Sequence, residues 1–428
     1  MDDILVLSNK GYKHLGDRIR SNPNNISFED LQVIQSLRLS HKEDLSLVFE
    51  CLVDNLMKID KSGIVTYRIK RIESIVSKLI RQPEMQINRM SDIAGCRCIV
   101  HSIDQVYALF DRLQESGLII VNVNDYIKDV KFTGYRSLHM IVKAHPDSKH
   151  TIEVQLRTQS QHNWATLVET TDLVYGTKLK ECGTGHPLAR FHERLSIDDG
   201  ALTIDNKKEI LRIARKYNYI SRISNIYEGN YEQVRAKWNE CKNKGHSYIL
   251  IATGADGIPE IQTFHGFQEA ERKYFEKYTE NPHHKNIVLT HIRNASFENV
   301  SMAYSNYFMT YNALLYRCYQ FTADVFKYEF EHDGWRMFGW MNYFTALTIQ
   351  LLKVSHRDFV HYQLQPTRQM SPQKRKEWSD SIRKHVNQLV IIYNGTYKYI
   401  REAPSRYTFR KMGVLVNLMY WRVRMIFL

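Results

Sequence analysis

Four short segments carry polar and charged residues whose types and spacing suit phosphoryl transfer. In the first, Arg68 and Lys70 stand two apart on a strand-like run and share one face. Ser74, Lys78 and Arg81 follow at spacings of four and three, one face of a helix. In the second, Asp92-Ile93-Ala94-Gly95-Cys96-Arg97 sets a carboxylate just before a strand and an arginine just inside it. The third runs from Asp125-Tyr126-Ile127 through Lys131 to Gly134-Tyr135-Arg136-Ser137-Leu138-His139, a polar loop with a tyrosine, Tyr135, that no apolar period explains. The fourth, Glu153-Val154-Gln155-Leu156-Arg157-Thr158, is a strand with a polar odd-numbered face. Arginines and lysines hold polyphosphate oxygens, and the carboxylates of Asp92 and Glu153 suit a hard divalent cation. A single Arg-x-Lys is ordinary surface charge; four such segments in this order are far more specific.

Elements to position them follow from periodicity. Residues 28–58 have helical spacing, with Phe28, Leu31, Ile34 and Leu37, then Leu45, Val48, Leu52 and Leu56. From Ile64 the period becomes two, and Val65, Tyr67 and Ile69 predict a half-buried strand. A helix with Ile72, Ile75, Val76, Leu79 and Ile80 inward comes next. Strands are then expected around 96–101, 118–123, 138–144 and 151–156, with helices at 104–115 and 159–174. Strands and helices so interleaved predict an α/β or α+β sheet domain. The glycines and proline of 176–203 predict a loop. Helices at 206–217 and 227–241, strands at 247–252, 261–265 and 285–290, and a helix at 267–278 predict a second, small α/β unit. From about Met302 the pattern is helical and aromatic, with further helices at 339–354 and 379–393. The expected division is 1–60 helical, 61–180 catalytic, 181–303 linker helices and small α/β unit, and 304–428 a basic, aromatic-rich helical region.

Composition narrows the class. The 428 residues include 43% hydrophobic and 12% aromatic residues, with 19 Gly and 9 Pro, which excludes a disordered or collagenous chain. No apolar run of about 18 residues predicts a membrane span, and Met1-Asp2-Asp3-Ile4 lacks the basic start of a signal peptide. The six cysteines form no Cys-x-x-Cys; reduced thiols in a cytoplasmic protein fit, with Cys96 and Cys98 as small core residues. There is no Walker-type loop, His-Glu-x-x-His or Gly-x-Ser-x-Gly. Of the formal charge of +13, residues 321–428 carry +9, from 17 Lys+Arg against 8 Asp+Glu. That suits a polyanion such as RNA, or a solvated basic face. The apolar end, Val414–Leu428, is expected to dock on the protein body in preference to lying on a membrane surface.

The four segments resemble the synthetase domain of the RelA/SpoT family, which makes the alarmone (p)ppGpp. The resemblance covers residues 64–169 at motif level, and Tyr304-x-x-Tyr307-Phe308 extends it to roughly residue 310. It implies an α+β fold, a nucleotidyltransferase-like mixed sheet with flanking helices, followed by the small α/β unit and the helical C-terminal region. It implies a magnesium-dependent pyrophosphokinase that moves the β,γ-pyrophosphate of ATP to a ribose 3′-hydroxyl and releases AMP. Residue by residue, Arg68 and Arg97 would sandwich the adenine. Lys70 and Lys78, with Ser74 beside them, would hold the ATP phosphates. Asp92 and Glu153 would ligate magnesium, and Glu153 would also be the general base. Tyr135 would stack on the acceptor base, with Lys131, Arg136, His139 and Gln155 around its phosphates and ribose. Arg157 would support the site. Blander readings stand beside these: Tyr135 as a loop aromatic, His139 as a strand histidine, Asp92 as a cap.

The family's loop residues are replaced here by Val130 and Thr133, and its usual Glu-His pair by Val168-Glu169. This variant resembles toxic synthetases of phage-defence and toxin–antitoxin systems, some of which pyrophosphorylate the 3′ end of tRNA. Two acceptors therefore stand open: a purine nucleotide such as GDP or GTP, in a stringent-response role, or the tRNA 3′ end. The metal-dependent hydrolase domain of bifunctional members is not expected, since about 60 residues precede Val65, and His332-Asp333 reads as chance. A regulatory contact through 304–428 is expected by analogy with fused toxin–antitoxin members, and the oligomeric state stays open.

Overall fold

The computed structural model describes residues 5–179, 185–197, 201–223, 246–253, 259–280, 287–293, 299–300, 312–332, 335–364, 372–404 and 408–425, with Trp238 and Ala303. Helix 227–241, apart from Trp238, and the Tyr304–Phe308 motif fall outside these residues. The chain divides into two compact units, residues 1–196 with 225–310 and residues 197–224 with 311–428.

The first unit opens with α1 (Asn9–Ser21), α2 (Phe28–Ser40) and α3 (Lys42–Met57). Ser8 and Ser27 cap the first two by accepting from Gly11 and Asp30 backbone N–H groups. Then come β1 (Ile64–Ile69), α4 (Ile72–Arg81), β2 (Ala94–Val100), α5 (Ile103–Gln114), β3 (Ile119–Asp125), β4 (Leu138–Lys143), β5 (Ile152–Thr158) and α6 (Gln159–Tyr175). Each of these sits where the periodicity places it. Thr158, the last residue of the fourth motif, caps α6 through a reciprocal box with Gln161. α7 (Pro187–Leu195) occupies part of the stretch expected to be a loop. Pro187 at its first turn starts the helix, and Leu188, Phe191 and Leu195 bury one face.

β6 (Tyr248–Thr253), β7 (Pro259–Phe264), α9 (Phe267–Glu280) and β8 (Ile287–Ile292) complete the unit. Their strands do not form a sheet of their own, which corrects the expected separate α/β unit. β8 pairs antiparallel with β1, Thr66 opposite Ile292 and Arg68 opposite Thr290. One eight-stranded sheet results, in the order β3-β4-β5-β2-β1-β8-β6-β7. β1 has two hydrogen-bonding edges, and a sequence shows only that it is a strand, not which strand fills its second edge.

β2 and β5 run parallel; the other neighbours are antiparallel. Their alternation gives the sheet two different faces. Tyr67, Cys96, Val154 and Met140 line up across four strands and are buried in a core with α3 and α5 residues such as Leu52 and Leu109. Cys96 and Cys98 are buried free thiols, as expected. The residues between them in each strand face the other way.

The second unit is helical: α8 (Ile204–Lys216), α10 (Asn312–His332), α11 (Arg336–Leu364), α12 (Pro372–Glu402) and α13 (Thr408–Met425). α8 thus belongs with the C-terminal helices, a second departure from the expected 181–303 block. Lys207 binds Asp324 at 2.7 Å and Lys208 binds Glu329 at 2.6 Å, tying α8 to α10. Tyr319, Phe344 and Tyr393 stack in sequence, with centroids 4.9 and 5.4 Å apart, and join α10, α11 and α12.

Candidate active site

The face opposite the core carries the motif residues, and strand register explains why. One row across the sheet reads Arg68, Gly95, Glu153, Ile141; the next reads Thr66, Arg97, Gln155, His139. Residues distant in sequence thus become neighbours about 5 Å apart on one surface. Gly95 suits this close packing. A Cβ there would stand 3.0 Å from the Glu153 carbonyl oxygen, backbone that cannot swing aside.

Glu153 is held from two sides. His139 Nδ1–H donates to its Oε1 at 3.0 Å, and Gln155 Nε2 donates to its Oε2 at 2.8 Å. Burial alone would raise this carboxyl, but the His139 hydrogen bond and charge outweigh it, and the pKa lies below the ordinary 4.5. His139 moves oppositely. Burial lowers it, but the hydrogen bonds and charges of Glu153 and Tyr135 together outweigh burial, and the net pKa is above 6.5. Its Nε2 lies 2.8 Å from the Tyr135 hydroxyl. Burial would raise that phenol, yet His139 and Arg157 bring it down to about 8. Tyr135, His139 and Glu153 are therefore one hydrogen-bonded chain.

The signs of these shifts predict a pH window. His139 contributes stability below its ordinary 6.5 and loses it as pH rises through its raised value. Glu153 contributes above its ordinary 4.5 and loses it as pH falls through its depressed value. The stability gap between wild type and His139→Gln should therefore be widest between pH 4.5 and 6.5 and shrink on either side. Denaturant unfolding across that range measures it, and a gap independent of pH would refute the ion pair.

A second cluster lies at the start of β2. Lys78 Nζ binds Asp92 Oδ1 at 2.8 Å, and Lys70 Nζ binds Oδ2 of the same carboxylate. Burial pushes Asp92 up, but the two ammonium groups prevail and its pKa is depressed. Lys70 is lowered by burial, with Lys78 and Arg68 adding to it against Asp92. Ser74 lies one turn before Lys78 on α4 and is half-buried. Asp92 also acts on Glu153, raising its pKa, so the two clusters share one field.

The loop between β3 and β4 brings the aromatic residues. Asp125 shapes it: Oδ1 accepts from the Ile127 and Lys128 backbone N–H groups at 3.0 and 3.1 Å, and Oδ2 from the Tyr107 hydroxyl at 3.0 Å. Gly134 has φ +87°, and a Cβ would meet Ser196 Oγ at 2.4 Å, so only glycine fits. Lys131 Nζ lies 4.0 Å from the Tyr126 ring centroid and 5.4 Å from that of Tyr135. Tyr126 and Trp164 complete the cluster, 6.2 and 6.4 Å from Tyr135. Neither was singled out from the sequence. Tyr126 adjoins Asp125 in the third motif, and its aperiodic placement is the signal that could have found it. Arg136 is half-buried, its Nε without a hydrogen-bond acceptor among the described residues. Arg97 donates to the Ala303 carbonyl at 3.4 Å.

Arg157 is buried, although its strand position belongs to the polar face. Its Nη2 donates to His162 Nδ1 at 2.6 Å, because α6 closes over this end of β5. Burial, then the charge of Arg97, lowers its pKa to about 9.

Residues 67–179 match the family model described as the region found in RelA / SpoT proteins. Two curated proteins of Bacillus subtilis (strain 168) are similar over this segment. The GTP pyrophosphokinase YjbM is 32% identical over 125 residues, 27% of this chain and 59% of that protein. The GTP pyrophosphokinase YwaC is 38% identical over 112 residues, 23% of this chain and 53% of that protein. The chain thus spans between half and two thirds of the length of these relatives. Among solved structures, small alarmone synthetase 2 of Bacillus subtilis is 26% identical with a TM-score of 0.31, covering 37% of this chain and 88% of that one. The matched segment holds every predicted site residue, including both carboxylates.

Proposed function

We propose that the chain is an ATP-dependent pyrophosphokinase of the RelA/SpoT type, transferring the β,γ-pyrophosphate of ATP to a 3′-hydroxyl. The observation that carries this reading is the pair of clusters on one sheet face. Two lysines converge on Asp92, and an ionised Glu153 is held by His139 and Gln155. The relatives named GTP pyrophosphokinase support it over this same segment.

The residues have a division of labour. Lys70 and Lys78 are cations already gathered at one point, and incoming polyphosphate oxygens compete with Asp92 for them. Glu153 has both oxygens engaged once, which leaves one lone pair on each for an acceptor hydroxyl. The 3′-hydroxyl oxygen bonds to the β-phosphorus, the α–β bridging bond breaks, AMP leaves, and the hydroxyl proton passes to Glu153. Asp92 and Glu153 are hard oxygen donors within each other's field, a set that fits magnesium completed by substrate phosphates. Asp92 and Glu153 would hold such an ion, which would supply charge neutralisation at the phosphoryl oxygens. Tyr135, edged by Tyr126 and Trp164, offers a ring for the acceptor base.

A nucleotide acceptor, GDP or GTP, is the first reading. A tRNA 3′ end is the second, and the +9 carried by residues 321–428 favours it. Incubation with γ-labelled ATP and either nucleotides or bulk tRNA decides between them by which acceptor becomes labelled. Label in neither acceptor would defeat the proposal.

Arg68→Ala and Arg97→Ala should each weaken ATP binding by about 0.5–2 kcal/mol, the range of a cation–π contact. Acceptor affinity should change much less. Titration calorimetry with a non-hydrolysable ATP analogue measures this. Loss of acceptor binding with ATP affinity intact would mean that the adenine site is wrongly placed.

A further inference from the structure

The second unit ends in α13, a helix with two unlike sides. Val414 and Leu418 are buried against the other helices, which is the docking expected of this segment. The opposite side is apolar and open. Phe409 is 94% exposed and Val416 63%, and Met412, Met419, Tyr420 and Val423 are also exposed. At 3.6 residues per turn, these six fall within an arc of about 100°. No charged residue interrupts the arc. Arginines bracket it instead: exposed Arg424 lies on one flank and exposed Arg422 on the other by the same helical geometry, while Arg410 is half-buried with its guanidinium 4.2 Å from the Trp335 ring centroid. α13 contains four cations, with Lys411, and no Asp or Glu.

We infer that α13 attaches the protein to an anionic lipid surface, lying in the plane of the headgroups with this stripe inserted. Charge complementarity decides the occupant. An apolar stripe with cationic flanks matches acyl chains bordered by negative headgroups, and arginine side chains reach up to those headgroups from a shallowly buried helix. Arg424 Cζ lies 5.7 Å from the Tyr420 ring centroid and 5.5 Å from that of Trp421, which groups aromatic and cationic side chains as the membrane–water boundary favours. A second copy is a poorer partner. Pairing two such stripes sets arginines against arginines, with no acidic residue of α13 to relieve them. Nucleic acid satisfies the arginines and leaves the stripe in water. The attachment is peripheral: no helix among the described residues is long and apolar enough to cross a membrane.

Vesicle co-sedimentation of the full chain tests this. Vesicles of phosphatidylcholine containing about one-third phosphatidylglycerol should carry the protein down, and phosphatidylcholine alone should not. Arg422→Ser and Arg424→Ser should each lower partitioning about fivefold. Val416→Asp with Met419→Asp should abolish it, while leaving thermal unfolding unchanged because both positions face outward. Three results would overturn the inference: no binding to anionic vesicles, binding that ignores the Val416/Met419 double substitution, or a dimer in light scattering that the same substitution dissolves while vesicle binding is absent. Glu153→Gln should bind vesicles like wild type, so failure of the enzymatic reading and failure of this one are separable.

Discussion

Glu153→Gln should lower turnover by at least about 10²–10⁴, the usual worth of a positioned base. The substitution keeps the side chain's shape and one acceptor oxygen. It removes the negative charge that His139 and Gln155 hold in place. Two losses then coincide: no group accepts the 3′-hydroxyl proton, and the field shared with Asp92 loses half its charge. ATP affinity should fall less than turnover, because Lys70 and Lys78 are anchored on Asp92 and not on Glu153. Single-turnover transfer of label from γ-labelled ATP, beside equilibrium ATP binding, separates the two effects. Near-wild-type transfer by a folded Glu153→Gln protein would remove the whole site assignment.

The motif face was legible because β-structure converts spacing into position by a rule of two. Arg68 and Lys70, or Glu153 and Gln155, had to share a face wherever the strands went. The spacing of Asp92 and Arg97 around Gly95 likewise announced a strand entry. Which strands lie side by side was not legible. The row Arg68–Gly95–Glu153 joins three segments through one antiparallel and one parallel pairing, and only the folded sheet shows it. The same limit hid the junction of β8 with β1. Its partner lies more than two hundred residues away, and a strand's sequence carries its face pattern but not its neighbour. Local signals also misled once. Glycine and proline around residue 187 mark turns, but proline equally opens helices, and the burial of Phe191 and Leu195 settled that choice in favour of α7. Arg157 shows the remaining gap. Alternation put it on the polar face, but α6 folds over that end of the strand, and the burial of one residue depends on an element that alternation cannot see.

Arg38 shows how far from the motifs the site's support reaches, and its removal should have the largest effect on stability. It lies in α2, 1% exposed, paired with Glu271 of α9, 3% exposed, at 3.1 Å. Its Nε donates to the Lys70 carbonyl at 2.8 Å, and its guanidinium sits 4.3 Å from the Tyr274 ring centroid. The Tyr274 hydroxyl in turn accepts from the Ile72 backbone N–H at 3.1 Å. One buried network therefore pins the turn between β1 and α4, the turn that aims Lys70 and starts the helix bearing Ser74 and Lys78. Arg38→Met leaves the Glu271 carboxylate buried without its cation, which should cost about 3–5 kcal/mol. Against a total of about 5–15 kcal/mol for a folded domain, that is a large share. Restoring balance with Glu271→Met in the same chain should recover most of it, since two apolar side chains leave no orphaned charge. Activity should not recover in parallel. The double variant still lacks the hydrogen bond to the Lys70 carbonyl, so its KM for ATP should stay raised while its unfolding midpoint returns toward wild type. Denaturant unfolding and ATP-dependent kinetics on the two variants measure both halves. An Arg38→Met protein within about 1 kcal/mol of wild type would show that the pair adds little, as many ion pairs do. A double variant with normal KM would show that the turn holds Lys70 without help from α2.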